Sequence, residues 1–228
     1  MVKVNAASIA SEQSGMERSM ICSDKGMQLF DIYRAMALEA YRPESAGQAF
    51  NEMEIRAFRE PIRKVLRQFD IATLLDYGSG GSNYEMAGFD GNSTAREYFG
   101  LVEVYRFEPA RDLDQRCRVD AVLCFDLLEH VFVADVPATV RDMFSLARKL
   151  LIVNTACYPA RSILPNGENA HITVRPPLWW KGMFDSIAVE FPAVAVWLIC
   201  SPAWRNATAF ELYSGQEWLN SPTFVTTK

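Results

Sequence analysis

Three stretches of this chain carry residue types whose spacing can serve chemistry. The first is Asp76-Tyr77-Gly78-Ser79-Gly80-Gly81-Ser82, which follows the apolar run 71–75. Glycines let a backbone turn tightly and approach a ligand where a Cβ would obstruct. Asp76, ending the run, can accept hydrogen bonds from an ammonium group or an ordered water. The second is Glu108-Pro109, thirty-two residues after Asp76 and at the end of the next apolar run. An acidic residue there can accept from both hydroxyls of a ribose. The third holds the only two histidines of the chain, His130 and His171. His130 follows Glu129 just beyond the run that ends near Asp126, and an imidazole can take the proton lost by an attacking hydroxyl or amine. The pair Glu129-His130 reads equally as the start of a helix or as packing beneath a ligand. His171 lies in a loop, 164–180, that leaves another strand end; it has either an acceptor-site role or a structural one. Glu129, His130 and His171 suffice chemically for a divalent metal. Their spacing across two loops matches no recognised ligand pattern, so no metal is expected.

These residues meet only if the elements between them deliver them to one edge. Apolar runs at 71–75, 102–107, 120–125, 150–154, 194–200 and 208–213 read as strands, and 136–146 and 178–187 carry helical periodicity. Such alternation predicts a doubly wound α/β fold, a mainly parallel sheet covered on both faces. In that fold ligands sit beyond the carboxyl ends of the strands, at the switch point of strand order. The last two runs are separated only by 201–207, with Pro202 and Asn206 inside. That gap is too short for a crossover helix and predicts an antiparallel C-terminal edge hairpin. Residues 1–69 read as an N-terminal extension. It has a loose tail over 1–15, a helix over 27–41, and a second over 51–69 that Pro61 kinks or splits. The extension is either an extra helical layer or a lid with Tyr33, Tyr41 and Phe50 on its underside. Residues 70–228 form the α/β core.

With those motifs in order, the chain resembles the class I S-adenosylmethionine (SAM)-dependent methyltransferases. Their first motif, acidic-x-G-x-G-x-G, is matched by Asp76 to Gly80 and departs at Ser82, which puts close helix packing at that corner in doubt. The ribose-binding carboxylate of the family maps onto Glu108. Its fourth-strand motif maps onto Asp120-Ala-Val-Leu-Cys-Phe-Asp126-Leu-Leu-Glu129-His130-Val131. Asn169-x-His171 before Pro176-x-x-Trp179-Trp180 also looks like a stretch of small bacterial and phage methyltransferases. The resemblance implies a Rossmann-like fold and SAM held by Asp76, Gly78, Ser79, Gly80, Glu108, Pro109, Phe125, Asp126 and Leu127. His130 or His171 would orient or deprotonate a small-molecule acceptor, at oxygen or nitrogen, with a sugar or glycan precursor as the analogy. Only eleven residues separate Glu108 from Asp120, so the third strand is shortened or absent and no adenine contact is assigned.

Two other readings share the glycine loop. In an NAD-type dehydrogenase the third glycine opens the helix, but Asn83 stands there, and Glu108 lies farther on than the usual ~20 residues. The other is a non-catalytic binding protein with the same fold. The formal net charge of −5, with no Lys/Arg run, argues against nucleic acid. The longest apolar run, 193–200, is far too short for a membrane span, and no leader is evident, so a cytoplasmic protein is expected. Five scattered cysteines without a CxxC pair predict buried free thiols. Oligomeric state has no signature in the sequence.

Overall fold

In the central strands successive side chains are buried on opposite sides of the sheet, and this alternation dictates a three-layer arrangement. The computed structural model describes residues 22–40, 53–203, 206–212 and 223–226. Helices α1 (Asp24–Ala40), α2 (Met53–Ala57) and α3 (Arg59–Gln68) come first. Then follow β1 (Thr73–Tyr77), α4 (Ala95–Phe99), β2 (Glu103–Glu108), β3 (Leu113–Asp114) and β4 (Val119–Phe125). The chain continues through α5 (Val136–Leu146), β5 (Ala147–Ala156), α6 (Pro177–Ala188), β6 (Ala195–Ala203), β7 (Asn206–Leu212) and β8 (Thr223–Thr226).

The strand order is β3-β2-β1-β4-β5-β6-β7-β8, with β2, β1, β4, β5 and β6 mutually parallel. One face, with Leu75, Val122, Leu151, Val153 and Leu198, packs on Val140, Met143 and Phe144 of α5 and Trp180 and Phe184 of α6. The other, with Leu74, Leu123, Ile152 and Ile199, packs on Ile55 of α2, Ile62 and Leu66 of α3, Phe58 between them and Phe99 of α4. Each large apolar side chain buried this way is worth about 1.5–3 kcal/mol relative to exposure. The α/β expectation therefore holds at the level of a mostly parallel sheet with helices on both faces. Between β1 and β4 the chain reverses its direction of travel across the sheet, which opens a crevice at their carboxyl ends.

Several expectations are corrected. The strands β6 and β7 form the antiparallel hairpin, but β8 pairs with β7, so β7 is not the edge. The third strand is shortened as expected, to two residues, and runs antiparallel to β2. The helix expected over 51–69 breaks at Phe58; Pro61 falls in the first turn of α3, where its missing N–H has no intrahelical partner to lose. No helix opens at the glycine loop. The next one, α4, begins only at Ala95, where Thr94 and Glu97 form a reciprocal capping box. All five cysteines are unpaired, yet only Cys124 and Cys200 are buried; Cys22, Cys117 and Cys157 are half-buried. The tail over 1–15, Tyr41 and Phe50 lie outside the described residues. Among the described residues no helix is long and apolar enough to cross a membrane.

Candidate functional site

Beyond the carboxyl ends of β1, β2 and β4 lies a cavity of about 810 Å³, inside the range of roughly 300–1,000 Å³ that holds small molecules. Its wall includes Asp76, Gly78, Ser79, Gly80, Glu108, Pro109, Phe125, Asp126, Leu127, His130 and His171. Every site residue expected from the sequence is therefore brought to one cavity.

The glycine turn is held from within. Gly78 N and Ser79 N both donate to Phe107 O, at 2.8 and 3.1 Å, and Gly80 N donates to Glu108 Oε2 at 2.7 Å. Gly78 has φ +84°, and a Cβ there would sit 2.8 Å from a methyl of Leu127. Glycine is thus required both by conformation and by the close approach of the β4 loop. The other oxygen of Glu108 accepts from Ala110 N at 3.1 Å. Burial nevertheless outweighs these N–H bonds and holds the Glu108 carboxyl above its ordinary range. Asp76 is buried and accepts from Tyr84 Oη at 3.1 Å. Ser79 Oγ is buried on the cavity wall with no hydrogen-bond partner.

At the end of β4 the chain turns sharply. Asp126 has φ +54°, a left-handed conformation that costs a non-glycine residue of the order of 1–2 kcal/mol and that Asp tolerates better than most. A short 3-10 helix, Leu128–His130, follows and buries Glu129 completely. Glu129 Oε1 accepts from Ala156 N at 2.7 Å and Oε2 from Thr155 Oγ1 at 3.3 Å. Burial, and then the neighbouring Asp126 carboxylate, push the Glu129 carboxyl well above the usual range.

The loop after β5 is folded over this corner by its own polar groups. Asn169 accepts from Ala160 N and His171 N and donates to Ala160 O, clamping the hairpin that presents His171. Thr173 N donates to Glu129 O at 2.9 Å and its hydroxyl to Val131 O at 2.6 Å, strapping that loop to the 3-10 helix. The two imidazoles end 5.0 Å apart, edge to face. Burial lowers the pKa of His130, with Asp126 opposing, so its neutral form dominates near neutral pH. The spacing of Glu129, His130 and His171 fits no ligand pattern, yet the fold gathers them with Asp126. One donor atom from each of the four lies within 4.8 Å of the others.

Helix α1 is the roof. Leu29, Phe30, Tyr33 and Met36 face the cavity, and Leu29 packs on Leu164 and Ala170 of the His171 loop. Tyr33 Oη donates to Ala170 O at 2.8 Å and contacts His130 Nδ1 at 2.9 Å. Ser23 caps the helix by accepting from Gly26 N, and its own N–H and hydroxyl donate to the buried Asp135 carboxylate, each at 2.8 Å. Ion pairs Lys25–Glu168 and Arg34–Asp112 secure the rims.

Sequence reasoning missed Glu54, Asp135, Tyr158, Arg111 and Arg161, all on the wall. Glu54 and Asp135 sit in helical surroundings that look solvated in one dimension. The TxxE capping signal at Thr94 was available to locate α4. Comparison with known protein families, with characterised proteins and with solved structures found no match.

Proposed function

We propose that this cavity binds S-adenosylmethionine and that the chain transfers its methyl group to a small-molecule acceptor, in a Rossmann-like methyltransferase fold. One observation carries the reading. The cavity is ringed by carboxylates from Glu54, Asp76, Glu108, Asp126 and Asp135, while the N–H groups of Gly78, Ser79 and Gly80 are consumed internally. With five carboxylates against Arg111 and Arg161, such a wall favours positive charge and hydroxyl donors over phosphate. A dinucleotide reading needs free N–H groups and a helix N-terminus facing a pyrophosphate, and no helix opens at this turn.

The residues present fit the cofactor. Ser79 Oγ is an orphaned buried hydroxyl on the wall of the cavity. Glu108 would accept from the ribose hydroxyls, Asp76 and Asp126 would face the cationic portion, and Pro109, Phe125 and Leu127 would supply apolar contact. When bound, the cofactor supplies a methyl group on a sulfonium that is already a good leaving group. The chain's part is then mainly proximity and orientation. His130 and His171 flank the cavity next to Asp126 and would orient the acceptor or hold its proton. The roof over the cavity favours an acceptor small enough to be enclosed.

Isothermal titration tests this directly. Wild type is expected to bind SAM and its demethylated product, and Glu108→Ala to bind each at least ~10-fold more weakly, since a hydrogen bond to a charged group is worth about 1.5–3 kcal/mol. Equal affinity in the variant would remove the ribose assignment, and no binding to wild type would remove the reading.

A further inference from the structure

We propose that Asp126, Glu129, His130 and His171 form a mononuclear site for a divalent transition metal at the floor of the cavity. Four potential ligands, two carboxylate and two imidazole, converge from two loops that are 41 residues apart at their histidines. Their donor atoms lie within 4.8 Å of one another. Metal–ligand bonds of about 2.0–2.2 Å place tetrahedral ligands roughly 3.3–3.6 Å apart, so the widest pairs of the cluster close on an ion by about an ångström.

A second, independent feature is the way each donor is held from behind. His130 Nδ1 lies 2.9 Å from Ala170 O, and His171 Nδ1 lies 2.6 Å from Tyr158 O. A backbone carbonyl only accepts, so each Nδ1 carries the proton and each Nε2 carries the free lone pair. This is the outer arrangement that fixes the tautomer and ring orientation of metal-bound histidines. Glu129 is oriented likewise by Ala156 N–H and the Thr155 hydroxyl. The left-handed backbone at Asp126 brings its carboxylate into the same cluster. Strain of that kind collects at functional sites.

The donor set selects the ion. Two imidazoles favour Zn²⁺ or Fe²⁺ over Mg²⁺, Ca²⁺ and Mn²⁺, which suit oxygen ligands. Three of the four ligands line the cavity, so the remaining coordination positions open into it. They suit an oxygen donor of a bound small molecule, a hydroxyl or a vicinal pair of hydroxyls. With the ion bound, both Nε2 lone pairs are committed to it, so the histidines orient an acceptor through the ion and do not hold its proton. That link rests on the methyl-transfer reading, whereas binding of the ion does not.

The full chain, stripped with chelator, is titrated with Zn²⁺ alone and, separately, with Co²⁺ as a visible-absorbing probe, both without SAM. About one equivalent is expected to bind, with Co²⁺ d–d bands. His171→Ala and Asp126→Asn should each weaken binding at least ~10-fold, in line with the loss of a ligand. Asp126→Asn keeps the left-handed turn, and circular dichroism checks that each variant is folded. Less than a tenth of an equivalent in wild type overturns the proposal. So does undiminished binding in folded variants, which would mark adventitious surface sites. SAM titrations on the metal-free chain report on the cofactor reading separately, so either idea can fail alone.

Discussion

Replacing Asp135 by Ala should release the roof of the cavity while leaving the sheet intact. The Asp135 carboxylate receives two hydrogen bonds from Ser23, one from the N–H and one from the hydroxyl, each 2.8 Å long. It is buried, and hydrogen bonds to a charged group are worth about 1.5–3 kcal/mol each. Both end on one carboxylate and are not fully additive, so ~2–4 kcal/mol of α1 docking is at stake. At 1.4 kcal/mol per tenfold, the undocked population of α1 rises ~30- to ~1,000-fold. Leu29 and Tyr33 still hold the helix to the His171 loop, so it opens more often rather than being lost. The Asp135 side chain makes no cap bond to α5, so α5 loses only the favourable charge at its N-terminus, about 0.3–1 kcal/mol. Amide hydrogen exchange reads the two regions apart: amides of residues 27–38 should speed up by that factor while those of β4 and β5 stay protected. Asp135→Asn keeps one acceptor for Ser23 and should show roughly half the effect in free energy. Unchanged exchange in α1 with a large fall in Tm would refute the reasoning, because Asp135 would then support α5 and not the roof.

Gly78→Ala forces a left-handed alanine, at ~1–2 kcal/mol, and drives its Cβ to 2.8 Å from Leu127, a further ~1–3 kcal/mol. A fall in Tm of the order of 10 °C is expected in a thermal scan; a shift within noise would mean that Leu127 gives way freely. The pH dependence of SAM affinity follows from Glu108, whose folded pKa is raised by burial against its N–H bonds. Ribose hydroxyls prefer the ionised carboxylate, so affinity is full above that raised pKa and is lost as pH falls through it, earlier than for an ordinary glutamate near ~4.3. Titrations carried downward from neutral pH should show this decline in wild type and a weak, flat profile in Glu108→Gln; parallel profiles would assign the dependence elsewhere.

What the sequence reveals follows from how far each feature depends on distant chain. Strands β1, β4, β5 and β6 are legible because burial on both faces leaves largely apolar runs, and the less buried β2 through Val104, Tyr105 and Phe107 among its charged residues. Helices α5 and α6 carry full periodic stripes and appear within a residue of their expected bounds. By contrast, β3 has two residues and β8 four, too short for any period to register. The break at Phe58 is signalled only by Pro61 three residues on, because Ile55, Phe58, Ile62 and Leu66 all pack into one cluster across it. Hydrophobic spacing sees one stripe where the backbone has two helices.

The site divides along the same line. Asp76, the glycine turn and Glu108 sit at successive parallel strand ends, so knowing the sheet is enough to place them together. The imidazole pair cannot be placed that way. His171 reaches His130 only because Asn169 closes its own hairpin on Ala160 and Thr173 ties that hairpin to Glu129 and Val131. All but the backbone bond from Thr173 N to Glu129 O join a polar side chain to backbone, and none leaves a hydrophobic period behind. The Asn-x-His spacing is the one trace of it, since the Asn169 carbonyl accepts from His171 N two residues on. Asp126 was readable as a strand-end carboxylate, but its left-handed backbone, which brings it to the histidines, is a property of the folded turn. The ligand-holding half of the cavity is therefore a consequence of topology, whereas the half beside the histidines is built by a few local hydrogen bonds, and single substitutions at Asn169 or Thr173 act on that second half alone.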